Sequence, residues 1–259
     1  QVATHGWVLD GNGRAMHKSL GNVVSPLTLI EKYGADGVRW WALATDWRGD
    51  VRVGDEILQR VADAYRRVRN TLRFLLGNLA DFTPAASVPE GRLLRTDRAF
   101  ADHLTTRLAR VRAEWGALQY HRALDQVVDL CTVDLSAVFL DIAKDRLYCS
   151  QAVGESRRSA QTALWRILDV MVRLMAPILS FTAEEIWGYV PTLASRPESV
   201  FLSHFPRLDA DADESRLQLP ARAGGAWCVG AQLRLRCSAS VRQRRSAADT
   251  PGPFRRGAG

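Results

Sequence analysis

Lys18 stands in the run Gly13-Arg14-Ala15-Met16-His17-Lys18-Ser19-Leu20-Gly21-Asn22, bounded by glycines and followed by Ser25-Pro26. A flexible ammonium in such a loop, next to the free N–H groups at a helix start, suits a group of concentrated negative charge. A nucleoside triphosphate losing pyrophosphate is such a group, and Lys18 would stabilise the charge that builds on the departing phosphates. The decapeptide alone is moderately specific. Its continuation, Val23-Val24-Ser25-Pro26 and then Tyr33-Gly34-Ala35-Asp36-Gly37-Val38-Arg39, makes it much more so.

The elements that must hold this loop can be read from local pattern. Trp7, Val8 and Leu9 are the strand candidates, and Gly11-Asn12-Gly13 is a turn. Ser25 offers its hydroxyl as an N-cap and Pro26 occupies the first helical position, where its missing N–H costs nothing. Gly34 ends that helix and Asp36 can cap the next, which carries Val38, Trp40, Trp41 and Leu43; the tryptophan pair reads as core.

From Asp55 the pattern becomes long amphipathic helices. The first bears Ile57, Leu58, Val61, Tyr65, Val68, Leu72, Leu75, Leu76 and Leu79 on one arc, with Arg66, Arg69 and Arg73 beside or opposite it. After a connector over 81–92 come a second helix (Leu104, Leu108, Val111, Trp115, Leu118), a third (Leu124, Val127, Val128, Cys131, Leu135, Val138, Ile142) and a fourth (Leu164, Ile167, Leu168, Met171, Leu174, Met175, Ile178). Each stripe would be exposed on a lone helix, so the four predict an antiparallel bundle in a mainly α chain. Pro177 should kink or end the fourth helix, and Thr182 with Glu185 forms a capping box for a last short helix through Trp187.

These runs together resemble the KMSKS loop and following segment of class I aminoacyl-tRNA synthetases, over about residues 1–206. The stretches Ala44-Thr45-Asp46-Trp47-Arg48-Gly49-Asp50, Asp55-Glu56-Ile57-Leu58, Ala64-Tyr65-Arg66-Arg67-Val68-Arg69-Asn70-Thr71 and Arg73-Phe74-Leu75-Leu76 are similar to the isoleucyl-tRNA synthetases rather than to their valyl or leucyl relatives. Phe139-Leu140-Asp141-Ile142-Ala143-Lys144-Asp145-Arg146-Leu147-Tyr148 and the run from Met175 to Trp187 continue the likeness.

The resemblance implies three parts: residues 1–50 as the C-terminal end of a Rossmann-like catalytic domain, 51–206 as a helical anticodon-binding domain, and 207–259 as a tail that is disordered or frame-shifted. It implies activation of isoleucine by ATP with Mg2+, and transfer of the acyl group to tRNA(Ile), by a cytoplasmic monomer. Lys18 would be the catalytic lysine, with Met16, His17 and Ser19 beside it at the nucleotide. Two loop positions depart from the pattern: Ala15 stands where a lysine is expected and His17 where a serine is. A protonated His17 would restore some positive charge below about pH 6.5, and Arg14 could help. The HIGH motif is missing, so this chain alone is expected not to aminoacylate. ATP and isoleucine would be gripped through the N-terminal part that carries it.

Arg66, Arg69 and Arg73, with Lys144, Arg146 and Tyr148 at the end of the third helix, are the candidate tRNA contacts. Against that, an arginine-rich helix face is more often solvated or paired, here with Asp55, Glu56 and Asp63, and the Lys144–Tyr148 stretch could be a helix terminus with its ion pairs. A valyl or leucyl relative, or a non-catalytic helical RNA-binding module, remains the alternative.

Charge adds little. The chain has 35 basic and 28 acidic residues, but residues 217–259 hold eight Arg, no Lys and one Asp, so the other 216 residues balance at 27 and 27. Any tRNA contact in the body must come from local patches. Cys131, Cys149, Cys228 and Cys237 make no C-x-x-C pair, so no zinc is expected, and Cys131 reads as core. No apolar run approaches the ~20 residues of a membrane span.

Overall fold

The computed structural model describes residues 4–192 and 196–206. In chain order they form β1 (Val8–Leu9), α1 (Pro26–Ala44), β2 (Val51–Arg52), α2 (Asp55–Gly77), α3 (Arg95–Gly116), α4 (Tyr120–Asp129), a π-helical stretch (Leu130–Phe139) running into α5 (Leu140–Cys149), α6 (Glu155–Met175) and α7 (Ser180–Trp187). The chain is thus mainly α. Its sheet is a parallel β1–β2 pair with Val8 opposite Val51 and Leu9 opposite Arg52; β2 carries no strand-length signal, and its pairing with β1 supplies what its sequence does not.

Two hydrophobic clusters organise the chain. The larger joins α2, α3, α6, α7 and the α4–α5 rod, with Leu72, Leu104, Leu124, Leu164 and Leu168 nearly inaccessible. The smaller gathers Leu29, Trp41, Val53 and Leu58 beneath the N-terminal segment, and Met16, Val24 and Tyr33 pack onto it. The neighbouring tryptophans divide between them: Trp40 lies in the large cluster beside Tyr65, Trp41 in the small one.

Several local expectations are met at the level of position but not of contact. Ser25 is the N-cap residue of α1 and Pro26 opens it, yet the serine hydroxyl makes no capping bond. Gly34 (φ 75°, ψ 159°) breaks α1 as expected, in a backbone state that costs a side-chain-bearing residue more than glycine. Asp36 does not cap its own helix. Its carboxylate accepts the N–H groups of Thr182 (2.7 Å) and Phe181 (3.3 Å), so it caps α7 from across the fold. The Thr182–Glu185 capping box is likewise absent, because α7 starts earlier, at Ser180. Thr182 instead meets the Tyr65 hydroxyl at 2.7 Å, and Glu185 pairs with Arg69 at 3.5 Å.

The third stripe is corrected midway. Over residues 130–139 the helix widens: the Leu140 N–H reaches back five residues to the Leu135 carbonyl, and the Ser136 hydroxyl donates to the Cys131 carbonyl at 2.7 Å. A wider turn rotates everything after it. Phe139, Ala143 and Leu147 therefore face the core, while Ile142, placed there by 3.6-residue spacing, is 38 % exposed. Leu118, expected at the end of the second stripe, sits in the α3–α4 turn with φ 59°, and its carbonyl accepts the Trp47 indole N–H at 3.0 Å. Pro177 lies just past α6, which ends at Met175.

Polar groups at the start of α6 stitch the 78–94 connector to the bundle. Gln161 donates to the Asn78 carbonyl, Thr162 accepts the Val88 N–H, and Ser159 accepts that of Leu94, at 2.9 to 3.0 Å. The fully buried Asp97 receives Arg146 bidentately at 2.6 and 2.7 Å, and the Ser159 hydroxyl at 2.6 Å. Breaking such a pair from one side costs about 3–5 kcal/mol, since a charge stays buried alone.

Asp81 in the same connector is gripped by Arg157 and Gln161, and these bonds hold its carboxyl down at about 2. The folded value lies below the ordinary one, so the stabilisation is complete above pH 4 and is lost as pH falls through 2. Because the side chain is 43 % exposed, solvent screening reduces it to about 1 kcal/mol. Urea titrations should therefore show the wild-type chain losing about 1 kcal/mol more stability between pH 4 and pH 2 than Asp81→Asn; parallel pH profiles would contradict this network.

Candidate functional site

The lysine loop is built by one carboxylate and one amide. Asp10, at the end of β1, accepts the N–H groups of Asn12 (3.0 Å) and Arg14 (2.8 Å) on one oxygen and the Asn22 side-chain amide (2.9 Å) on the other. Those donors hold its carboxyl below the usual carboxylate range, the Arg14 N–H first and Asn22 next. Asn22 also donates to the Ala15 carbonyl (3.1 Å) and accepts the His17 N–H (2.9 Å). Both ends of the loop are thereby tied to the same carboxylate. Leu9 bridges to Ala15, and Met16 anchors the loop in the smaller hydrophobic cluster.

Between those ties the chain turns outward. Lys18, Ser19 and Leu20 form a single 3-10 turn closed by Gly21 at φ 64°, whose N–H donates to the Lys18 carbonyl. His17, Lys18 and Ser19 are exposed, and the Lys18 ammonium meets no acceptor among the described residues. A cation held on a fixed backbone with no protein partner is available to an anion from outside.

The candidate tRNA contacts fall into two groups. Arg66, Arg69 and Arg73 share one face of α2; Arg66 pairs with Asp63 at 2.8 Å, Arg69 with Glu185, and Arg73 is exposed with no carboxylate partner among the described residues. Arg66 and Arg69 border a groove of about 560 Å³ that runs past the Gly34 break, Tyr65 and Phe181. On α5, Lys144 pairs with Asp141 at 2.8 Å and Tyr148 is 62 % exposed, one turn apart on the outer face. Arg146 points the other way, into its pair with Asp97, and its guanidinium is occupied there.

Cys131 is fully buried, and burial pushes its thiol up to about 12. Among the described residues no group of three His, Cys, Asp or Glu could hold a metal ion; Cys228 and Cys237 lie outside them. No helix among the described residues is long and apolar enough to cross a membrane.

The family model described as the anticodon-binding domain of tRNA ligase matches residues 97–243. The chain belongs to this family. The model for class I tRNA synthetases (I, L, M and V) matches residues 1–54, the part that carries the lysine loop. The anticodon-domain match runs beyond the edge expected near 206; the tail of 207–259, with its suggested change of frame, lies outside the described residues.

Among similar proteins, an isoleucine–tRNA ligase of Nitratidesulfovibrio vulgaris (strain DP4) is 50% identical over 211 residues, covering 82% of this chain and 22% of that one. That of Syntrophotalea carbinolica is 46% identical over 218 residues, covering 84% and 23%. The chain thus spans less than a quarter of the curated relatives it matches. Among solved structures, the Agrobacterium radiobacter K84 LeuRS of a ternary complex with tRNA superposes with a TM-score of 0.60 at 22% identity, covering 83% of this chain and 24% of that one. A Mycobacterium tuberculosis methionyl-tRNA synthetase gives 0.57 at 24%, covering 78% and 43%. At that identity the superpositions speak to fold alone.

Asp10 and Asn22 escaped the sequence reading, although Asp10-Gly11-Asn12-Gly13 carries the side-chain-to-backbone signature of an Asx turn. Replacing Asn22 by Ala should leave the bundle intact and release the loop. Hydrogen exchange at the His17 and Arg14 amides should quicken about ten-fold or more with the melting temperature nearly unchanged, as expected when bonds worth about 1 kcal/mol each are lost locally; unchanged exchange would show that Asn22 does not hold the loop.

Proposed function

We propose that this chain is the lysine-loop and anticodon-binding portion of an isoleucine–tRNA ligase. In that reading residues 1–50 complete a class I catalytic core and 51–206 form the scaffold that holds tRNA(Ile). The observation that carries it is the exposed Lys18, with no acceptor among the described residues, on a loop pinned at both ends and joined to a helical bundle of the anticodon-binding family. The 46–50% identity to isoleucine–tRNA ligases, across both parts, supports the choice of amino acid.

The reaction joins the isoleucine carboxylate to the α-phosphate of ATP and expels pyrophosphate. Lys18 Nζ meets charge growing on the β- and γ-phosphates; because Asp10 and Asn22 already fix the backbone, little reorganisation is needed at that moment. Met16 seats the loop, and His17 and Ser19 flank the lysine at the nucleotide. Mg2+ arrives with the triphosphate; Asp10, the carboxylate that pins the loop, is taken up by N–H donors. Arg66, Arg69 and Arg73 on α2 and Lys144 with Tyr148 on α5 are the proposed tRNA-facing side chains. Arg146 stays with Asp97 and is left out of that set. The enzyme acts as a cytoplasmic monomer, and this segment without the HIGH-bearing half does not aminoacylate.

The test is Lys18→Ala in a complete isoleucine–tRNA ligase carrying this segment. ATP–pyrophosphate exchange should fall by about 10²–10³-fold, the usual cost of one preorganised donor, with tRNA affinity kept. Unchanged exchange would remove the lysine loop from catalysis and leave a helical RNA-binding module as the better reading.

A further inference from the structure

Arg52 lies at the end of β2, far from the loop in sequence and against it in space. Three residues form a row across the sheet: Arg52 is paired with Leu9 in the parallel ladder, and Leu9 with Ala15 in an antiparallel bridge. Side chains of directly paired residues emerge on the same face, so Arg52 and Ala15 point to one side, two strand spacings or roughly 10 Å apart. Arg52 crosses that interval. Its guanidinium lies over Gly13, with Cζ and Nη2 3.2 Å and Nε 3.3 Å from where a Cβ on that residue would stand.

Two compositional facts make this close approach possible. Gly13, at φ 80°, has no side chain to hold the arginine off, and Ala15 is too short to compete for the space above the row. The Arg52 side chain is exposed and makes no hydrogen bond or ion pair among the described residues, while its carbonyl accepts the Trp41 indole N–H at 3.3 Å and so fixes its backbone. Asp10, the carboxylate at the loop, is taken up by the Arg14 and Asn12 N–H groups and by Asn22. Arg52 and Lys18 therefore stand at the loop as two cations without a counter-charge among the described residues, and a guanidinium presents paired donors that suit phosphate oxygens.

We propose that Arg52 is the second phosphate-binding cation of the lysine loop, filling with its guanidinium the place that the short side chain of Ala15 leaves open, and that with Lys18 it binds the polyphosphate of a nucleoside triphosphate. The inference rests on the triphosphate reading of the loop given above. It makes the cation of this site a product of tertiary pairing: the charge comes from β2, 37 residues after Ala15, through a three-residue row.

Inorganic tripolyphosphate binding to the 259-residue chain, followed by calorimetry at low salt, tests this with four variants. Arg52→Gln should weaken binding about ten-fold, the usual worth of a charge-assisted contact, and Arg52→Lys by less. Ala15→Lys combined with Arg52→Gln should restore most of the loss, because it returns a cation to the same face of the row. Unaltered melting of Arg52→Gln, whose side chain is exposed, checks that the fold is kept. If Lys18→Ala loses affinity while Arg52→Gln binds as the wild type does, Arg52 is not a ligand and the lysine-loop reading stands. If neither substitution changes binding, or the wild type binds nothing, the triphosphate reading fails and this inference with it.

Discussion

Asp36 and Arg39, one turn apart on α1, grip opposite sides of the corner between α6 and α7. The Asp36 carboxylate receives the first-turn N–H groups of α7; the Arg39 guanidinium takes the Pro177 and Ile178 carbonyls at 2.6 and 2.8 Å. The N–H groups are ones a helix start leaves unpaired, the carbonyls belong to the turn just past α6, and a bond to a charged group costs about 1.5–3 kcal/mol to break. Burial of Trp40 and Trp41 in two different clusters contributes more free energy, but it is non-directional. The clasp is directional. It fixes the angle at which α1, and with it the lysine loop seated through Met16 and Leu29, meets the bundle.

That division of labour recurs through the chain. Basic residues of similar appearance in sequence do opposite work: Arg146 ties α5 to α3 through Asp97 and Arg157 holds the connector through Asp81, whereas Lys18, Arg52 and Arg73 meet no carboxylate among the described residues. The near-neutral balance of the first 216 residues conceals this contrast, because among the described residues some cations are cancelled pairwise and others, Lys18, Arg52 and Arg73 among them, are left facing outward. What an anion would encounter is set by the outward-facing ones.

The amphipathic stripes were legible because burial follows period, and α2, α3 and α6 keep a 3.6-residue period throughout. The α4–α5 rod does not: its widened stretch moves the buried face from Ile142 to Phe139 and Ala143, and nothing in local composition marks a change of turn width. Buried polar residues were illegible for a related reason. Asp97 lies on the apolar arc of α3, three residues before Phe100 and seven before Leu104, while Ser159, Gln161 and Thr162 flank or oppose that of α6, so period does not mark them as a set and only the fold shows what they bond. Position 18 could be singled out in advance because its neighbours are contiguous in sequence. Arg52 could not, and the helix that Asp36 caps could not be foreseen, since each acts on a segment that only the fold brings near.

The most direct measurement of the clasp is the distance between a spin label at Leu27→Cys, in the first half of α1, and one at the exposed native Cys149 on α5, with Cys228 and Cys237 changed to Ser. A single narrow distribution in this background, broadened when Asp36→Ala and Arg39→Ala are added while helical content is retained, is the result the account predicts. The same narrow distribution with and without the clasp would show that hydrophobic packing alone orients the lysine loop, and would contradict it.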